Sequence, residues 1–240
     1  MRNALLIFTM AAWCTTVTGA SILPPNYAGP SLDLDIEYYN KVQTPEGVTR
    51  EARYKEVMMR RPGHVWVERI LAKPALGPRD ASKDDRRSAS ARPASHVEFN
   101  HAVTPHHVLL ENGKVRIQYV DERGRAVVAI PSSEYANVNF DGSWANSFFL
   151  IDPKLVEAMP RSVTKSTVVG AEWHEREKNG MFERVLWDQK SKIPLTIESG
   201  DMAATFYRRV DVHIRPTLAT ALPWKNQNGY SQKEFSDYLD

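Results

Sequence analysis

The chain has 240 residues and a net charge of +2, with 31 basic and 29 acidic side chains interspersed along it. A chain of this length can bury a sizeable core, either as one domain or as two small ones. The balanced charges form no basic run of the kind that nucleic-acid-binding proteins show, so we expect no nucleic-acid partner.

The first 20 residues have the pattern of a secretory signal peptide. Arg2 gives a positive start, residues 4–13 are apolar, and Thr18-Gly19-Ala20 offers small residues for cleavage. The apolar run is too short to span a membrane comfortably, and no second run of membrane length follows. We therefore predict that residues 1–20 are a cleaved signal peptide and that the mature chain is periplasmic without a transmembrane segment.

Cys14 is the only cysteine, and it lies inside the predicted signal peptide. A lipoprotein cleavage site needs a small residue before the cysteine, and Trp13 stands there instead. The mature chain is then free of cysteine, which excludes disulfides, thiol catalysis and c-type haem attachment.

Alternating apolar and polar residues predict β-strands through most of the mature chain. The first strand is typical, because Leu32, Leu34 and Ile36 alternate with acidic residues. The connections are too short for helical crossovers, so neighbouring strands should pair antiparallel. Further strands are predicted over 48–59, 64–71, 108–110, 115–119, 126–130, 167–175, 182–187, 195–199 and 203–214, with turns at Pro62-Gly63, Asn112-Gly113 and Asn179-Gly180.

Three segments do not follow the strand pattern. Asp152-Pro153 is a good start for a helix over residues 154–159. Residues 72–95 have almost no large apolar side chain and cannot offset their ordering entropy, so we predict a disordered insertion in one sheet. After residue 216 the chain becomes an irregular tail, 217–240, with a short helix predicted over 231–239.

Three stretches of the sequence resemble the LolA-like periplasmic lipoprotein carriers and their LppX-type and RseB-type relatives. The first is a strand, Arg-Pro turn and strand, the second a hairpin with a polar-Gly-Lys turn, and the third a late hairpin. They are residues 58–67 (MMRRPGHVWV), 108–119 (VLLENGKVRIQY) and 184–198 (RVLWDQKSKIPLTIE).

The resemblance implies an α+β, mostly β, fold over residues 21–216. Its core would be an open, curved antiparallel sheet, a half-barrel, covered by short helices on its concave side. Between sheet and helices an apolar cavity would take acyl chains. The family's arginine before the proline, which helps to hold the lid shut, corresponds to Arg61 in this sequence. From the residues alone, Arg61 could equally be an exposed strand-end arginine, and Arg60 cannot be separated from it.

The apolar residues of the predicted strands and helices are candidates for lining that cavity, with a plain hydrophobic core as the alternative. They are Val65, Val67, Phe148, Phe149, Leu150, Leu155 and Met159.

Four histidines lie within twelve residues of sequence, at His96, His101, His106 and His107. Imidazoles are good ligands for zinc or copper. Adjacent histidines on a strand point to opposite faces, however, so His106 and His107 should not share one ion. No Gly-x-Ser-x-Gly elbow, nucleotide-binding loop or H-E-x-x-H motif is present, so we predict no enzyme and no cofactor.

The sequence therefore favours a soluble periplasmic carrier that accommodates a lipid or a lipidated partner in an apolar concavity. One alternative is a non-catalytic interaction or regulatory module, like the RseB-type proteins, that docks on an inner-membrane protein. The other is a metal-binding accessory protein that uses the histidine cluster.

Overall fold

The computed structural model describes residues 28–71 and 99–238. The predicted signal peptide with Cys14, the predicted disordered insertion at 72–95 and the metal-ligand candidate His96 lie outside the described residues.

The described residues form eleven strands and two short α-helices. The strands are β1 (Leu32–Gln43), β2 (Thr49–Arg61), β3 (His64–Ile70), β4 (His106–Glu111), β5 (Lys114–Asp121), β6 (Ala126–Ile130), β7 (Ala171–Lys178), β8 (Met181–Asp188), β9 (Ile193–Asp201), β10 (Phe206–Ile214) and β11 (Ser231–Glu234). The helices are α1 (Trp144–Phe149) and α2 (Pro153–Glu157), with 3₁₀ turns at Ser132–Val138, Pro223–Lys225 and Phe235–Tyr238.

All eleven strands belong to one sheet, in the order β11-β6-β5-β4-β3-β2-β1-β10-β9-β8-β7. Every pair is antiparallel except β11 with β6, which is parallel. The sheet is curved and open, since it does not close into a barrel. The predicted fold class is confirmed, and β3 pairs directly with β4, so the strands on both sides of the predicted insertion belong to one sheet.

Strand β1 lies inside the sheet, and the alternation of apolar and polar residues in its sequence corresponds to its two different faces. Leu34 and Ile36 are buried on the face that carries the main core. Asp35 and Glu37 point to the other face, where Asp35 pairs with Arg215. One face of β1 is therefore apolar and the other is charged.

Two-residue turns fix the register of the hairpins. Gly63 has a φ of +74°, a conformation that costs glycine nothing, and the turn pairs Arg61 with His64 and Arg60 with Val65. Asn112 and Gly113 have φ values of 51° and 75°, as the predicted tight turn requires.

The two helices lie on the concave face of the sheet. Ser143 caps α1 by accepting a hydrogen bond from the Asn146 amide at 3.1 Å. Asp152 caps α2, with Pro153 at its first position, as predicted. Among the described residues no helix has the length and apolar character needed to cross a membrane. The buried core joins the helices to the strands and includes Leu34, Ile36, Met58, Val65, Val108, Ile117, Trp144, Phe148, Phe149, Val156, Met159, Val185 and Val212.

The C-terminal residues belong to the same packed unit. The helix predicted over 231–239 is wrong, because residues 231–234 form β11 and extend the sheet instead. Phe235 is buried in the main core. On the opposite, convex face, Trp224 and Tyr230 pack over a second cluster that contains Trp66. The tail therefore covers part of the face that the helices leave open.

Candidate ligand groove

A groove of about 360 Å³ lies between the concave face of β1–β4 and the segment that carries α1. Its size is at the low end of the range of about 300–1,000 Å³ that ligand pockets occupy. The strands supply Ile36, Tyr38, Glu56, Met58, Val65, Val67, His106 and Val108, and the helical segment supplies Asn139, Phe140, Asp141, Asn146, Ser147 and Leu150.

The predicted cavity residues divide into three groups. Val65, Val67 and Leu150 line this groove. Phe148, Phe149 and Met159 are buried in the main core and hold the helices against the sheet. Leu155 is 48% exposed, whereas its neighbour Val156 is buried. The inward position in α2 is thus that of Val156, and Leu155 faces solvent.

Arg60 connects α1 to the sheet. Its guanidinium donates to the carbonyl oxygens of Phe148 at 2.9 Å and Pro30 at 2.9 Å. It also donates to the carbonyls of Ser191 and, at 3.4 Å, Lys192, in the turn between β8 and β9. One side chain therefore binds three segments that are distant in sequence.

Arg60 is fully buried, and the hydrogen bonds described for it all go to carbonyl oxygens. Its charge also lies 4.7 Å from the ring centre of Phe148 and 5.6 Å from that of Phe149. Burial lowers the pKa of the guanidinium to about 9, so the group stays protonated at neutral pH. The cost of removing this charge from water is offset by hydrogen bonds to dipoles.

Arg61 points to the convex face. It pairs with the buried Asp33 at 2.7 Å and donates to the carbonyl oxygens of Leu32 and Ala219. The bonds described for Arg61 do not reach α1 or α2, whereas Arg60 binds the carbonyl of Phe148 in α1. The two-residue turn could have shown this, because it places Arg60 opposite Val65 on the concave face.

A tyrosine and a carboxylate, neither singled out from the sequence, form the polar wall of the groove. Tyr38 donates a hydrogen bond to the half-buried Glu56. Burial raises the pKa of Glu56, and the tyrosine bond opposes that shift. The ring of Tyr38 stacks on Tyr54 with centres 4.5 Å apart.

The adjacent histidines separate to the two faces as predicted. His106 lines the groove, and burial lowers its pKa to about 4. His107 lies on the convex face, and His101 is near Asn139, 3.5 Å away. Residues 28–71 and 99–238 contain no group of three or more histidine, cysteine, aspartate or glutamate side chains that could hold a metal ion.

On the convex face His107 belongs to a polar and aromatic cluster that the sequence pattern did not predict. Its Nε2 lies 3.0 Å from Nδ1 of His64, and both rings stack on Trp224. With the Gln118 amide donating to His107 Nδ1 at 3.4 Å, the Nε2–H of His107 donates to His64. Burial, followed by the fields of His64 and His106, lowers the pKa of His107 to about 3.

No protein-family model and no curated protein matches the sequence. Several solved structures are similar to the chain at low sequence identity. A LolA superfamily protein from Nitrosomonas europaea is 8% identical, with a TM-score of 0.28, over 81% of this chain and 88% of that one. The MucB component of a Pseudomonas aeruginosa MucA/MucB complex is 6% identical, with a TM-score of 0.36, over 78% and 53%.

PNGF-II is also similar, at 9% identity and a TM-score of 0.36 over 86% of this chain. The chain spans only 32% of PNGF-II. The resemblance predicted from the sequence is confirmed, since LolA-superfamily and MucB structures are among those to which the chain is similar. At these TM-scores the similarity concerns the fold and assigns no ligand to this chain.

Proposed function

We propose that this protein is a non-catalytic periplasmic carrier that holds an acyl chain of a lipid or lipidated partner in the groove. One observation carries the proposal, namely the space between the concave face and α1, with a floor of Ile36, Met58, Val65, Val67 and Val108. The N-terminal signal pattern supports the compartment. Burial of an acyl chain gives about 0.8 kcal/mol for each methylene, so an apolar groove needs no covalent chemistry to retain a lipid.

Arg60 is the proposed latch of this carrier. It holds the carbonyl of Phe148 in the last turn of α1, and Leu150, which follows the last residue of that helix, lines the groove. Leu150 has a φ of +68°, which costs a side chain of this kind about 1 kcal/mol or more. Release of the Arg60 bonds would let α1 swing outward and relax Leu150, which opens the groove along its length.

Native mass spectrometry of protein purified from a membrane-containing source tests the proposal without any mutation. Acyl species should accompany the protein, and extraction into organic solvent should remove them. A stoichiometric metal in their place would favour the metal-binding alternative. Recovery of an inner-membrane protein without lipid would favour the interaction module.

A matched pair of variants locates the binding. Val67→Trp fills the groove, whereas Val169→Trp makes the same change at a residue that is 98% exposed. Binding of the uncharged fluorescent probe N-phenylnaphthylamine should weaken by about tenfold or more in Val67→Trp and stay unchanged in Val169→Trp. Equal binding by the two variants, at unchanged thermal midpoints, would place the lipid elsewhere.

A further inference from the structure

The charges of the groove are all of one sign. Its wall carries two carboxylates, Glu56 and Asp141, and the described residues that line it include no lysine or arginine. His106 is neutral at pH 7, because burial lowers its pKa to about 4. A ligand that enters the groove therefore meets negative charge and hydrogen-bond acceptors beside an apolar floor.

The two carboxylates occupy different positions. Asp141 is exposed at the mouth and already accepts hydrogen bonds from the Ser143 amide at 2.8 Å and from Asn146 at 2.5 Å. Glu56 is half-buried on the strand wall, and Tyr38 is the side chain that donates to it. Because a carboxylate accepts several hydrogen bonds, Glu56 keeps acceptor capacity that a ligand can use.

The cation that faces Glu56 is Arg69, whose field lowers the pKa of the Glu56 carboxyl against the larger effect of burial. Arg69 lies opposite it in the register of β2 and β3, but its guanidinium sits 3.8 Å from the ring centre of Tyr54 and donates to the Ala102 carbonyl at 3.3 Å. Within the described part of the chain Glu56 forms no ion pair within 4 Å. A partly desolvated carboxylate without an ion-pair partner is a strong attractor for a ligand cation.

We infer that the groove selects amphiphiles with a protonated amine, whose apolar chain lies on the Ile36–Val108 floor and whose ammonium group binds the Glu56 carboxylate beside Tyr38. The inference rests on the proposed function and specifies the ligand class of the same groove. An anionic head group is disfavoured, since it would meet Glu56 in a region of low dielectric constant.

Three ligands with the same chain and different head groups test this inference. Decylamine, decanoate and decanol are compared as competitors of N-phenylnaphthylamine at about pH 8, where the amine is protonated and the fatty acid is ionised. Decylamine should bind about tenfold more tightly than decanoate, with decanol between them. Equal affinities, or tighter binding of decanoate, would overturn the inference.

Glu56→Gln has a matched control in Glu37→Gln, which removes the same charge from the exposed face of the neighbouring strand. Glu56→Gln should reduce the preference for the amine to about threefold or less, and Glu37→Gln should leave it unchanged. A preference that survives Glu56→Gln would remove Glu56 from the site. Failure of all three ligands and of the probe would instead contradict the carrier function itself.

The wild-type protein offers a check that needs no variant. The preference for decylamine over decanol should decline as the pH is lowered from about 8 to about 4.5, because burial raises the pKa of Glu56 above its ordinary value of 4.5 and the carboxylate loses its charge as that pKa is approached. The other groups facing this region are Tyr38, Tyr54, Arg69, Arg208 and His106, with Asp141 at the mouth. A preference that is constant over this range would contradict binding to the Glu56 carboxylate.

Discussion

The same residue types have different partners on the two faces of the sheet. On the concave face the buried Arg60 donates to backbone carbonyl groups, whereas on the convex face Arg61 pairs with Asp33. His106 and His107 are divided in the same manner, the first into the groove and the second under Trp224. Residues adjacent in sequence therefore belong to two different environments, the groove beside α1 on one face and the ion pair and aromatic stack on the other.

This difference indicates how a single sheet can combine movement with stability. The concave side is held by one buried side chain, Arg60, whose carbonyl partners can exchange it for water only when α1 moves away from the sheet. The convex side is held by a specific charge pair and an aromatic stack, which lose their contributions completely when they separate. We expect the segment around α1 to move while the C-terminal segment stays in place.

The largest effect is expected from Arg60→Met. The substitution leaves the Phe148, Pro30 and Ser191 carbonyls without their donor in a buried site, which should lower the free energy of unfolding by about 4 kcal/mol. Urea denaturation measures this loss, and hydrogen exchange should accelerate in α1. Arg60→Lys serves as the control, because it keeps the charge but cannot reach all the carbonyls, and its loss should be smaller. A loss below about 1 kcal/mol would show that Arg60 does not latch the helix.

A smaller loss, of about 3 kcal/mol, is expected from Arg61→Met. It leaves the carboxylate of Asp33, which is 1% exposed, with only the Ala219 amide as a donor among the groups described here. Hydrogen exchange should accelerate near Ala219 and not in α1. Combining the change with Asp33→Asn removes the buried charge and should restore part of the stability. If hydrogen exchange in α1 also accelerated in Arg61→Met, as is expected for Arg60→Met, the proposed difference between the two faces would be contradicted.

The pH dependence should give the smallest effect. The folded protein lowers the pKa of His107 from 6.5 to about 3, so its neutral form is stabilised by folding. Stability from this group is complete above pH 6.5 and is lost progressively as the pH falls from 6.5 towards 3, by about 2 kcal/mol at pH 5.

Equilibrium unfolding at several pH values measures this slope, and His107→Gln should flatten it. His106→Gln should flatten it too, because the pKa of His106 is also lowered by burial. Hydrogen exchange at mild acid pH distinguishes the two positions, since protonation of His107 should loosen residues 223–230 and protonation of His106 should not. Equal hydrogen-exchange rates of residues 223–230 at pH 7 and pH 5 would argue that the stacking of Trp224 on His107 does not hold this segment in place.

Much of the fold could be predicted from the sequence because strands such as β1 alternate apolar and polar residues. Leu34 and Ile36 had to lie on one face, and Asn112-Gly113 left little choice of turn. The strand in the C-terminal segment could not be predicted in this way. The residues of β11 are all exposed, so no apolar alternation marks a strand, and only pairing with β6 makes it one.

The site was less predictable, for two physical reasons. The periodicity of α2 could not choose between Leu155 and Val156, because five residues are too few to define a face. The groove also depends on long-range contacts. Glu56 and His106 approach the same space only because β2, β3 and β4 pair in register, and His64 meets Trp224 only through the C-terminal segment.

The central position of β1 has a consequence for how the chain folds. Strands β1 to β5 each pair with their successor, but the other side of β1 pairs with β10, and the Asp35–Arg215 ion pair joins residues 180 positions apart. Such non-local pairing slows folding, because a very long loop must close before its contacts form. A nascent chain that has reached β9 still exposes β1 as an unprotected sheet edge, the kind of edge on which chains aggregate. Emergence of β10 is therefore the step that covers this edge of β1.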